Sequence, residues 1–130
     1  MNASLPVHAL LDDLFFRSRI ETTAEAAGVA VTISRTIEEL LEERRKAGGG
    51  AVLIDLGGGS TEEASEHATE AISAIHALRR LPQPPIIVAW GSHVDVEAFE
   101  AARAAGADRV LPRSAFTRRL PEILRELAGS

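Results

Sequence analysis

Five short apolar runs, each followed by a longer stretch of helical periodicity, constrain this chain more than any single motif. The runs are 7–11, 29–33, 51–56, 86–90 and a shorter one centred on Val110 and Leu111. Their apolar character is continuous rather than alternating, as in Ala-Val-Leu-Ile-Asp-Leu at 51–56 and Ile-Ile-Val-Ala-Trp at 86–90. A strand with one wet face alternates, whereas a strand covered on both faces does not, and parallel strands are covered on both. Parallel neighbours need long crossovers, almost always right-handed, and the intervening segments supply them.

Those segments carry the marks of helices. Over 14–27, Phe16, Ile20, Ala24 and Ala27 share one face, and Gly28 stands where a helix ends in a left-handed residue. Thr36 is placed to cap a second helix with Ile37, Leu40 and Leu41 on its face and Glu38 and Glu39 in its first turn. Lys46 and the glycines at 48–50 close it. A third helix is predicted over 61–80 on Ala64, Ala68, Ala71, Ile72 and Ile75, stopped by Pro82, Pro84 and Pro85. A fourth uses Val96, Phe99 and Ala102 and ends at Gly106, and a fifth uses Phe116, Leu120, Ile123, Leu124 and Leu127. Five strand–helix units in 130 residues predict a single three-layer α/β domain over 1–130, too short for an eight-fold barrel.

Composition then narrows the function. The chain has 14 Lys and Arg against 19 Asp and Glu, a net charge of −5, which is the wrong sign for a surface that neutralises phosphates. It has no cysteine, which excludes disulfides, thiolate chemistry and thiolate metal sites. Four Phe and one Trp are too few for a base-stacking platform. Residues 1–11 lack Lys and Arg, and Asp12 and Asp13 interrupt their apolar run, so no secretory leader is expected. No stretch approaches the roughly 18 apolar residues of a membrane span. The expectation is a cytoplasmic protein with neither nucleic acid nor membrane as its partner.

A doubly wound sheet binds ligands beyond the carboxyl ends of its strands, where the strand order reverses. The first run ends in Asp12 and Asp13, and the third ends around Asp55. With the first and third strands as neighbours, three carboxylates converge, and their mutual repulsion makes a cation the natural neutraliser. Oxygen donors alone favour a hard ion such as Mg²⁺. Helix capping accounts for Asp12 or Asp13 equally well, and Asp55 can meet the amides of the glycine loop that follows it. A carboxylate inside an apolar run demands some partner, whichever it is.

Taken in order, these segments resemble the response-regulator receiver domain over essentially the whole chain. Leu10-Leu11-Asp12-Asp13 is similar to the acidic pair that ends that family's first strand, and Ala51-Val52-Leu53-Ile54-Asp55 to its third strand. Ile86-Ile87-Val88-Ala89-Trp90 is similar to the fourth, and Gly106-Ala107-Asp108-Arg109-Val110-Leu111 to the lead into the fifth. The resemblance implies a flavodoxin-like, doubly wound parallel sheet of five strands in the order 2-1-3-4-5. It implies Asp55 as phosphoacceptor, Mg²⁺ at Asp12, Asp13 and Asp55, and Arg113 as the phosphate contact in place of the family's Lys. The departures are as informative. Trp90 stands where the family has its switch Ser or Thr, and Ser92 lies two residues beyond. Arg113-Ser114 replaces Lys-Pro, and the loop after Asp55 lacks the usual Met-Pro-Gly. The implied function is an atypical, stand-alone receiver-like signalling domain acting through a protein partner, a histidine kinase or a downstream effector. Enzyme activity would extend at most to self-phosphorylation at Asp55. A homodimer is open to it through the face of the fourth and fifth helices, where Val96, Phe99 and Phe116 are available.

Other features offer competing readings. Gly57-Gly58-Gly59-Ser60 follows a strand and precedes a helix, so its amides can cradle a phosphate. It matches neither the dinucleotide nor the Walker pattern, and a small nucleotide- or flavin-binding protein is the alternative function. His67 and His76 are nine residues apart, the wrong spacing for one metal. His8 reads as a core residue with a backbone partner, and His93 falls at the edge of the site. Ser60 and Ser92 lack a His–acid set for a hydrolase triad. Trp90 is either an exposed contact for a partner or a buried ring that fills the site.

Overall fold

The computed structural model describes residues 5–58 and 61–129, so 1–4, Gly59, Ser60 and Ser130 lie outside the described residues. Strands and helices alternate as β1 (Val7–Leu10), α1 (Leu14–Ala27), β2 (Val31–Ser34), α2 (Ile37–Ala47), β3 (Val52–Asp55), α3 (Glu62–Arg79), β4 (Ile87–Gly91), α4 (Val96–Ala105), β5 (Arg109–Pro112) and α5 (Arg113–Leu127). The strands form one five-stranded sheet in the order β2-β1-β3-β4-β5, the doubly wound flavodoxin-like arrangement.

The chain divides into two units, one made of Met1–Leu53 with Arg118–Ser130 and the other of Ile54–Thr117. In the first unit, β1 and β2 pair in parallel with Val7 opposite Val31 and Leu10 opposite Ser34. Helix α2 lies against both strands, and α1 lies against β2. Val7, Ala9, Phe16, Ile20, Ala24 and Leu40 form its core, and Leu120, Ile123, Leu124 and Leu127 are buried as the fifth-helix stripe predicts. The second run begins its strand two residues later than its apolar character suggests. Val29 is not available to the sheet, because its amide donates to the Ala24 carbonyl (2.9 Å) and finishes α1.

His8 is fully buried in this unit and is held at both ring nitrogens. Nδ1 meets Thr32 Oγ1 at 2.8 Å, and Nε2 meets the Gly49 carbonyl at 2.9 Å. The predicted backbone partner is present. Gly50 is required beside it: its φ is +125°, and a Cβ there would run into the Pro6 carbonyl and come within 2.8 Å of His8 Nε2.

In the second unit, β4 and β5 pair in parallel from Val88 opposite Arg109 to Gly91 opposite Pro112. Asp108 clamps the start of this pair: its amide donates to the Ile87 carbonyl (2.8 Å), and its Oδ2 accepts from the Ile87 amide (2.7 Å). Helix α3 packs on α4, and α4 packs on β5. The buried face of α4 differs from expectation. It is Ala98, Ala102 and Ala105, whereas Val96 is 60% exposed and Phe99 is half-buried. Asp95 caps this helix through Ala98 N (3.2 Å), and the small alanines face α3 and β5, on which it packs. Phe116 is fully buried, as its place on the fifth-helix stripe predicts, and is therefore not available to a contact face. Among the described residues, no helix is long and apolar enough to cross a membrane.

Candidate functional site

β3 is buried along its whole length and ends in Asp55, which is only 6% exposed. A carboxylate in that position costs several kcal/mol unless donors or a cation meet it. Both are present. The Gly57 amide donates to Asp55 Oδ1 at 2.7 Å, and Arg113 Nη2 stands 4.0 Å from the same oxygen. The glycine-loop partner anticipated for Asp55 is therefore real, and so is the neighbouring arginine.

The backbone around Asp55 is tied down from several directions. Gly57 has φ +73°, which turns its carbonyl toward the end of β4 and the start of α5. That carbonyl accepts from Ser92 N (3.1 Å) and from Arg113 Nη2 (3.2 Å). Arg113 is delivered there because it opens α5 directly after Pro112 ends β5. Its side chain is 43% exposed, so an incoming anion can reach the guanidinium.

Sequence spacing sets His67 aside as a metal ligand, yet the structure gives it a role here. Its Nε2 lies 2.8 Å from the backbone carbonyl of Asp55. The available signal was its place on α3, one turn before Ala71 on the buried stripe that continues through Ala74, Ile75 and Leu78. A half-buried polar ring beside that stripe favours a partner, but periodicity does not say that the partner is a carbonyl twelve residues earlier.

Trp90 is fully buried and lies flat on Phe116, with ring centroids 4.1 Å apart and planes 2° from parallel. The exposed-contact alternative is overturned: the indole packs against α5 and fills space instead of lining an open mouth. Its carbonyl accepts from Leu56 N at 2.8 Å, so the residue after Asp55 is bonded directly to the tryptophan backbone. Ser92 gives its amide to Gly57, and its Cβ occupies the place a Cβ on Gly58 would take. His93 is exposed. Gly59 and Ser60 of the proposed phosphate loop lie outside the described residues.

No family model matches the chain. Over 87% of its length it is 34% identical to thermosome subunit alpha from Sulfurisphaera tokodaii and 32% identical to thermosome subunit alpha from Saccharolobus solfataricus. The chain spans about a quarter (25%) of the length of these curated relatives. Solved structures match it over nearly its whole length. A response regulator from Thermotoga maritima superposes with a TM-score of 0.72 at 15% identity, covering 94% of this chain and 96% of that one. The chemotaxis response regulator CheY4 of Vibrio cholerae gives 0.73 at 19%, covering 96% and 99%. The signal receiver domain of a response regulator from Bermanella marisrubri gives 0.73 at 18%, covering 96% and 98%. The chain has the receiver-domain fold.

In receiver-fold terms, Asp55, Arg113 and Trp90 stand at the end of the third strand, after the fifth and at the end of the fourth. The acidic pair is engaged within its own unit. Asp12 Oδ1 accepts from Arg35 Nε at 2.8 Å in an exposed ion pair. Asp13 caps α1, its Oδ1 accepting from Phe15 N (2.9 Å) and Phe16 N (3.2 Å). Carboxylates are the right donors for Mg²⁺, and each of these two has one oxygen, Oδ1, in these hydrogen bonds. Among the described residues, no group of three or more His, Asp or Glu is arranged to hold a metal ion.

Proposed function

We propose that the chain is an atypical receiver-like signalling domain over 1–130, with Asp55 as phosphoacceptor and a protein as its partner. The observation that carries this is a buried carboxylate at the end of β3, held by the Gly57 amide and faced by Arg113, in a receiver fold. An Asp55 oxygen attacks the phosphorus of an acyl phosphate or of a kinase phosphohistidine. The new P–O bond forms as the donor's bond to phosphorus breaks, and the leaving group departs with that bond's electron pair. Arg113 meets the charge on the transferring group with a planar guanidinium where the family has an ammonium. Mg²⁺ at Asp12, Asp13 and Asp55 belongs to the same reading: these carboxylates would hold the ion, and it would neutralise charge on the transferring group.

The partner in this reading is a histidine kinase or a downstream effector, and the setting is cytoplasmic. The nucleotide or flavin alternative has less support, because the Gly57 amide is already donated to Asp55. The thermosome likeness covers a quarter of those chains and lends no activity to this one.

Incubation with acetyl phosphate, with and without Mg²⁺, followed by intact mass is the direct test. The expected result is a gain of one phosphoryl group in the wild type and none in Asp55→Asn. A gain that survives Asp55→Asn overturns the assignment, and no gain under either condition leaves a receiver fold without acceptor chemistry. Dependence on Mg²⁺ would support the acidic pair as its ligands.

A further inference from the structure

We infer that His67 is a positioning residue for Asp55, holding the turn that aims its carboxylate, so that phosphoryl acceptance depends on a hydrogen-bond donor at position 67. This rests on the reading of Asp55 as acceptor. Asp55 is fixed from two sides by groups that follow it in the chain. His67 reaches its backbone carbonyl at 2.8 Å, and Gly57 reaches its Oδ1 at 2.7 Å. A carbonyl only accepts, so His67 must carry its proton on Nε2. The first contact sets the direction in which the chain leaves β3; the second sets the rotation of the carboxylate.

The two contacts are coupled through Gly57. The His67 ring lies over that residue so closely that a Cβ there would fall 2.8 Å from Cδ2. The Gly57 carbonyl in turn takes the Arg113 guanidinium. One imidazole thus braces the acceptor, the amide that orients it and the residue on which its arginine rests. The fold of α3 does not depend on this contact, since Ala68, Ala71, Ala74, Ile75 and Leu78 anchor the helix independently. A displacement of the carboxylate by a fraction of an ångström is what catalysis notices and stability does not.

The test is the rate of acetyl phosphate labelling in the full chain, read by intact mass beside the melting temperature. His67→Phe keeps a ring over Gly57 but has no donor, and labelling is expected to slow by about tenfold or more. His67→Gln carries an amide N–H at similar reach and is expected to restore the rate to within about threefold of the wild type. Wild-type rates in His67→Phe overturn the role, as does a His67→Gln rate as low as that of His67→Phe. In the unmodified protein, imidazole nitrogen shifts at alkaline pH are expected to place the proton on Nε2; a proton on Nδ1 overturns the geometry whatever the variants do. An inert wild type is a different failure, because it removes the acceptor reading itself and the His67 role with it.

Discussion

His8 sits where an imidazole cannot easily ionise. Burial pushes its pKa below the ordinary 6.5, with Arg44 adding to the fall, while the bond to the Gly49 carbonyl and the charge of Glu43 oppose it. The carbonyl fixes the proton on Nε2 and leaves Nδ1 to accept from the Thr32 hydroxyl. Just below pH 6.5 the unfolded chain therefore binds more protons at this residue than the folded chain. Stability from His8 is complete above that pH and is lost as pH falls toward the lowered folded value. Urea unfolding across this range should show the decline, with the His8 part no steeper than about 1.4 kcal/mol per pH unit, the limit for one proton. His8→Gln should remove that part of the slope. A variant curve parallel to the wild type would mean that His8 is not the group responsible.

At the scale of elements, α2 has Leu40 as its one fully buried residue and a hydrogen-bonded cap at each end. Thr36 Oγ1 accepts from the Glu39 amide (3.1 Å) and donates to the Glu39 carboxylate (3.2 Å), so one hydroxyl serves both groups. Thr36→Ala should cost about 1 kcal/mol in urea unfolding followed by far-UV circular dichroism, and Thr36→Ser close to nothing. Equal losses in both variants would place the effect in the methyl group rather than the cap. Such ends were legible from sequence because a cap is a local code: α1 runs over 14–27 as read, and Gly28 closes it at φ 71°. Features set by a neighbour were not legible. The start of β2 moves because Val29 is claimed by α1, and the buried face of α4 is decided by its packing on α3 and β5. His67 was missed for the same reason, its partner being a backbone carbonyl on another element.

For the whole molecule, a parallel sheet covered on both faces could be read from the continuous apolar runs, whereas its strand order was legible only through the resemblance to the receiver family. Which acids are engaged could not be read, since Asp12 finds Arg35 twenty-three residues away, beyond β2. The largest departure from the receiver pattern, Trp90, was visible in sequence, but its consequence needed coordinates. A hydroxyl at the end of the fourth strand can swing toward a phosphoryl oxygen; an indole stacked at 4.1 Å on Phe116 has no such freedom, because moving it opens a cavity and gives up the ring contact. Modification of Asp55 should then reach a partner as local charge near Arg113 rather than as a rearranged core. Trp90 is the sole tryptophan, so its emission and near-UV circular dichroism report this directly. Both signals should coincide for labelled and unlabelled protein, while the mobility of the labelled form in native electrophoresis increases toward the anode. A shift in emission on labelling would mean that the stack opens and that the chain retains a conformational switch built on the indole.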